Sequence, residues 1–150
     1  MARDQNGGYE LSKVAVVYWS GSGNTEEMAK AVVKGAQDKG ADAELIYCND
    51  FSASKVADYD AIAFGCPAMG AEVLEESEFQ PMFDEVSAAL GGKKIALFGS
   101  YGWGTGEWME NWENDCKGAG ASLVCDSVIC NNTPDDEGLM QCEALGAALA

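Results

Sequence analysis

The sequence predicts an α/β fold: a doubly wound, five-stranded parallel sheet with strand order 2-1-3-4-5, held between two layers of helices in an α/β/α sandwich. Two observations predict it. Five short apolar runs alternate along the chain with longer segments of helical period. The runs are apolar on both faces, as strands of a parallel sheet covered on both sides must be. Right-handed crossovers then leave only a few doubly wound topologies, of which this order is a common one.

The elements follow in order. Residues 14–19 form the first apolar run, bounded by a Ser/Gly/Asn cluster, and Met28, Ala29, Val32, Val33 and Ala36 follow at helical spacing. Lys39-Gly40 ends that helix, a basic last turn before a glycine that takes the left-handed conformation. A strand is expected near 43–47, a weak segment near 52–57 and a buried strand at 61–65. A second helix is expected from about 79 to 90, closed by Gly91-Gly92 and leading into a strand at 94–99. The third helix runs from about 107 to 117, the fifth strand from about 122 to 130, and the last helix from about 136 to 149. This is one domain, residues 13–150, after a polar lead-in, residues 1–12, which is expected to be flexible and lacks the apolar stretch of a secretory signal.

Composition narrows the function. Apolar residues make up 47% of the 150, yet no run approaches the roughly 20 residues of a membrane-spanning helix, so a soluble protein is expected. The six cysteines contain no C-x-x-C pair and the chain has no histidine, so the mixed Cys/His zinc patterns are absent; reduced thiols in a cytoplasmic protein are expected, with no structural disulfide. A net charge of −16 argues against nucleic acid, whose phosphates need Lys and Arg to neutralise them. The same charge repels an anionic membrane surface and favours partner proteins with a basic docking face.

In a doubly wound sheet ligands bind beyond the carboxyl ends of the strands, where the winding reverses, which brings the loops after strands one, three and four together. The first loop is Ser20-Gly21-Ser22-Gly23-Asn24-Thr25. It has no Lys before its final Thr, as a Walker loop requires, and Glu26 stands where a dinucleotide fingerprint has its third glycine. What remains is a loop of hydroxyl and amide side chains at a helix N-terminus, where free N–H groups and the helix dipole attract one terminal phosphate. The second loop, Cys66-Pro67-Ala68-Met69-Gly70-Ala71-Glu72, carries an oddly placed methionine, and the third, Ser100-Tyr101-Gly102-Trp103-Gly104-Thr105-Gly106, sets two aromatics among glycines that let a flat ligand approach.

These three motifs, in the forms VYWSGSGNT at 17–25, GCPAMG at 65–70 and LFGSYGWG at 97–104, resemble the three flavin mononucleotide (FMN) loops of short-chain bacterial flavodoxins, most nearly the clostridial type. The resemblance runs from about residue 13 to the C-terminus and implies a flavodoxin-like fold and a low-potential one-electron carrier, not an enzyme. It implies FMN as cofactor, redox enzymes as partners and a monomeric state. Ser20, Ser22, Asn24 and Thr25, with the backbone of Gly21 and Gly23, are assigned to the phosphate. Met69 is assigned to the inner face of the ring and Trp103 to the outer. Gly70 is assigned the carbonyl that meets flavin N5–H after one-electron reduction, in a turn that favours glycine, and Glu72 is assigned to N3–H. Pro67, Ala68, Ala71, Ser100, Tyr101, Gly102 and Gly104 complete the cofactor-binding set. Ala71 replaces a small polar residue often found there, and Pro67 stands where some relatives place a serine on the phosphate.

The acidic residues Glu72, Glu75, Glu76 and Glu78, and Glu107, Glu110 and Glu113, lie on segments flanking this site and disfavour the negative charge that a second electron brings to the ring. Two rivals share the fold. A quinone reductase needs open space over the ring, where Trp103 is assigned, and a phospho-acceptor domain needs acidic residues at the end of strand one, where Trp19 and Ser20 stand.

Overall fold

Parallel pairing carries the architecture. The computed structural model describes residues 2–3, 9–10, 12–70 and 72–150. Of the lead-in, Ala2–Arg3 pairs antiparallel with Tyr9–Glu10; the rest of residues 1–11 lies outside those described, and with it most of the expected flexible segment. The main sheet contains β1 (Lys13–Tyr18), β2 (Asp42–Tyr47), β3 (Ala61–Gly65), β4 (Lys94–Tyr101), β5 (Ser122–Leu123) and β6 (Val128–Asn131). Its order is β2-β1-β3-β4, with β5 and β6 sharing the far edge of β4, which is the expected 2-1-3-4-5 with its last strand in two pieces. All of these pairings are parallel, with Val16 opposite Leu45 on one side and Ala63 on the other.

The fifth strand departs from the continuous one expected at 122–130. Lys94 lies opposite Ser122 but Phe98 lies opposite Val128, so four steps along β4 span six along the edge and two residues are extruded. An edge strand pairs on one side only, so it tolerates such a bulge. The extruded segment finds a partner elsewhere, with the Ser127 hydroxyl donating to Glu113 Oε2 at 2.6 Å.

Four helices cover the sheet: α1 (Asn24–Asp38), α2 (Phe79–Ser87), α3 (Glu107–Gly118) and α4 (Asp136–Leu149). Helix α1 stops as its sequence predicts. Gly40 takes φ 88°, and the amides of Gly40 and Ala41 donate to Gln37 O and Ala36 O. Helix α2 ends three residues before the expected 90, because Ala89 and Leu90 turn to tighter bonds on Val86 O and Ser87 O ahead of the glycine pair. The weak segment near 52–57 is a short 3-10 helix at Ala53–Asp58.

Strand side chains alternate between two cores. Val17, Ile62, Phe64 and Leu97 meet Phe79, Phe83, Trp108 and Trp112 of α2 and α3. Val14, Val16, Ala63 and Phe98 meet Met28 and Val32 of α1 and Cys142 and Leu145 of α4. Helices α1 and α4 touch backbone to backbone, since a Cβ on Gly146 would lie 2.0 Å from Val32 O and one on Gly35 1.9 Å from Glu143 O. Among the described residues no helix is long and apolar enough to cross a membrane.

Candidate cofactor site

The carboxyl ends of β1, β3 and β4 lie side by side, with Tyr18 opposite Gly65 and Gly65 opposite Phe98. Backbone bonds continue the sheet into the loops: Trp19 N donates to Gly65 O, Cys66 N to Phe98 O and Ala68 N to Ser100 O, at 2.9 to 3.1 Å. A cleft of about 340 Å³ opens between them, within the size range of small-molecule sites. Its walls are Trp19, Gly21, Ser22 and Asn24 from the first loop, Pro67, Ala68 and Met69 from the second, and Ser100, Tyr101, Gly102 and Asn132 from the other side.

The first loop is held by its own hydroxyl. Ser20 Oγ accepts from the amides of Gly23 and Glu26, at 3.1 and 3.2 Å, and Gly23 turns the chain into α1 with φ 96°. The amides of Gly21, Ser22 and Thr25 carry no bond to protein atoms among the described residues. Unpaired N–H groups at a helix N-terminus beside a cleft fit an anion. Thr25 faces the other way. It is buried, and its hydroxyl lies 2.8 Å from that of Ser100, tying the loop to β4.

The second loop folds back on itself. Met69 N donates to Val73 O and Glu72 N to Met69 O, a tight turn with Gly70 at its tip. Ala71, also assigned to the site, lies outside the described residues. Gly70 is exposed, has no positive φ here, and a Cβ placed on it would touch nothing within 4 Å. This conformation of the turn therefore does not itself demand glycine. Glu72 is one of two non-glycine residues with positive φ among the described residues, at 53°. Its carboxylate reaches the third loop, where Oε1 accepts from the amides of Thr105, Gly106 and Glu107 at 3.1 to 3.3 Å, at the N-terminus of α3. Gly104 takes φ 95°, and a Cβ there would lie 2.6 Å from that oxygen, so both the turn and the bond favour glycine.

In the third loop Tyr101 and Gly102 line the cleft, and Tyr101 packs on Trp108 with ring centroids 5.6 Å apart. Trp103 is 65% exposed beside the cleft and has no aromatic neighbour among the described residues. Gly104, one step further, does not line the cleft. Sequence reading missed Trp19 and Asn132 as wall residues. Asn132 is the other non-glycine residue with positive φ among the described residues, at 57°, and its backbone amide donates to Tyr101 O at 2.7 Å. An asparagine doublet at the end of a strand is the one signal that points to such a turn.

The acidic segment after the second loop is also more structured than a solvated face. Glu75 is 6% exposed and turned inward, accepting from the Ser77 hydroxyl and from the amides of Ser77, Glu78 and Phe79 at the start of α2. Burial raises its pKa, but these bonds outweigh burial and hold the carboxyl down at about 2. Glu78 accepts from Trp19 Nε1 at 3.5 Å and from Asn49 Nδ2 at 2.5 Å, steadying the cleft wall. Burial pushes the Cys66 thiol, beneath the second loop, upward, which leaves it a packing group.

The profile of the Flavodoxin family matches residues 16–146. A flavodoxin of Clostridium beijerinckii is 45% identical over 135 residues, covering 90% of this chain and 97% of that one. A flavodoxin of Megasphaera elsdenii is 44% identical over 137 residues, 91% and 98% of the two chains. The solution structure of two-electron reduced Megasphaera elsdenii flavodoxin superposes with a TM-score of 0.84 over 91% of this chain and 97% of that chain. All three cleft loops fall inside the matched span, and the chain belongs to the flavodoxin family.

Proposed function

We propose that this chain binds FMN in the three-loop cleft and works as a low-potential one-electron carrier between redox enzymes. The amides of Gly21, Ser22 and Thr25 at the start of α1, unpaired among the described residues, carry the reading, because they suit one terminal phosphate and no basic side chain stands in that loop. Ser22 and Asn24 add polar side chains, while Ser20 and Thr25 act behind them by holding the loop's shape. Pro67, Ala68, Met69, Ser100, Tyr101 and Gly102 supply the soft and aromatic walls a flat ring needs. Trp103, exposed beside them, is the group available to cover its outer face, with Gly104 leaving room for the Glu72 carboxylate.

Bound FMN supplies the redox chemistry, accepting electrons one at a time. The protein's part is to bias it. Gly70 stands exposed at a turn whose present form does not need glycine, which suits a peptide that must turn over to offer its carbonyl to the ring. Glu72 keeps its second carboxylate oxygen for a ring N–H. A carboxylate about 10 Å from a ring that gains negative charge opposes that charge by about 1.7 kcal/mol at an effective dielectric of about 20, before screening. Glu75, ionised down to about pH 2, holds its charge throughout the working range. No histidine exists in the chain, and the loops pair no nucleophile with a base, so the cleft holds electrons rather than substrate.

Residues 13–150 form the cofactor domain in this reading. The protein is a cytoplasmic monomer that docks through its acidic surface on basic faces of redox partners, and binds neither nucleic acid nor membrane, in keeping with its charge of −16. Titration of the apoprotein with FMN, riboflavin and FAD tests the site, with FMN expected to bind most tightly. Equal affinity for riboflavin removes the phosphate from the first loop. Steady oxidation of NADH or NADPH by the purified protein alone replaces the carrier with an enzyme.

A further inference from the structure

Six cysteines are free thiols, and their surroundings differ. Cys48, Cys66 and Cys116 are buried among core side chains away from α4. Cys130 on β6 and Cys142 on α4 instead share the second core, where α4 packs on β6. Gly138, one helical turn before Cys142, makes room for this contact, since a Cβ there would lie 2.6 Å from Cys130 Sγ. Cys142 is fully buried, whereas Cys130 sits at 7% exposure on the wall of a cleft of about 190 Å³. Asp135 and Glu137 stand at the same cleft.

We propose that Cys130 and Cys142 form a reversible thiol–disulfide couple, oxidised by small organic disulfides that reach Cys130 through this cleft. The Cys130 thiolate attacks one sulfur of the reagent, forming a mixed disulfide and expelling one reagent thiolate. The Cys142 thiolate then attacks Cys130 Sγ, closing the protein disulfide and expelling the second. The reagent's S–S bond is reduced to two thiols, the two cysteines give up two electrons, and their protons pass to the departing thiolates. The neighbouring Cys142 thiol lowers the pKa of Cys130, while burial raises those of Cys48, Cys66, Cys116 and Cys125. The attacking and resolving roles follow from this difference and from access. The acidic cleft favours a cationic disulfide. Closure fastens α4 to the strand whose continuation, Asn132, lines the flavodoxin cleft.

Cystamine, a small dicationic disulfide, is the probe. The FMN-loaded protein is treated with it, unreacted thiols are alkylated under denaturation, and the chain is cleaved after Glu and Asp. Cleavage at Asp126 releases Cys125, and cleavage at Glu137 separates Cys130 from Cys142 unless they are bridged. The expected product joins the two peptides, carries no cysteamine, and separates on reduction. Cys142→Ser is expected to stop with cysteamine on Cys130. The proposal is overturned if both cysteines of the wild type are alkylated after treatment, or if Cys130 keeps cysteamine while Cys142 is alkylated. Because the wild-type digest decides by itself, a variant that fails to fold does not blunt the test.

Discussion

Replacing Glu75 by glutamine tests the inward-turned carboxylate through its pH dependence. In the folded chain its carboxyl is held at about 2 against an ordinary value of 4.5. A difference of that size corresponds to roughly 3 kcal/mol at about 1.36 kcal/mol per unit, and nearby solvent reduces it to about 1 to 2 kcal/mol. A carboxyl whose folded pKa is depressed contributes stability above its unfolded pKa and loses it as pH falls through the folded one. The contribution of Glu75 is therefore complete above about pH 5 and gone near pH 2. The glutamine side chain would keep one acceptor oxygen but turn an NH₂ donor toward amides that are themselves donors, leaving one of them unpaired. Urea unfolding of wild type and Glu75→Gln, side by side from pH 7 to pH 2.5, is expected to give a gap of about 1 to 3 kcal/mol at neutrality. The gap should close progressively below about pH 4.5. A gap that stays constant across this range would refute the ionised cap and leave only a packing difference.

Three further outcomes are expected. Trp103→Ala should weaken FMN binding by about 1 to 3 kcal/mol, the range for an aromatic stacked on a flat base, measured by flavin fluorescence; unchanged affinity takes the indole off the ring. Gly146→Ala forces a methyl to 2.0 Å from Val32 O, so the α1–α4 contact must open and stability should fall by about 1 to 3 kcal/mol in urea, with the preference for FMN over riboflavin retained. Gly70→Ala meets no atom and no positive φ, so its melting temperature should match wild type, while reductive titration should show the two one-electron couples drawn together by about 1 to 2 kcal/mol, at about 59 mV per 1.4 kcal/mol. A melting temperature that falls with unchanged couples would make Gly70 a structural residue only.

Much of the fold is legible because its signals are local. The buried strands are apolar on both faces, Gly40 ends α1 by conformational freedom, and α4 spans the expected 136–149 behind an Asp135 side chain that accepts from Gly138 N at 2.8 Å. The fifth strand reads as continuous because a bulge at an edge depends on register against β4, which no short window contains. The site is legible as three loops because glycines and hydroxyls cluster where strands end. What each side chain does within it is less so. Thr25 reads as a phosphate ligand beside Ser22, yet it turns inward to Ser100, seventy-five positions away. Glu75 reads as one of a run of solvated acids, and only the start of α2 folding over it shows a cap.

Glu72 shows how the two kinds of information combine. Its place after Met69-Gly70-Ala71 marks it, by resemblance, for the flavin ring, and nothing local suggests a second task. In the folded chain its Oε1 gathers three amides of the third loop, so one carboxylate links the turn that carries Gly70 to the loop that carries Trp103. The helix N-terminus offsets its charge, so in the proposed site an anion beside the ring would oppose the incoming electrons less than a free carboxylate would. The glycine at 104 is then favoured twice, by its own φ of 95° and by a carboxylate thirty-two positions earlier in the chain that a side chain there would meet. The two loops that would bracket the ring are in this way tied together, so a movement at Gly70 has a short hydrogen-bonded route to residues 105–107, next to Trp103 in the third loop.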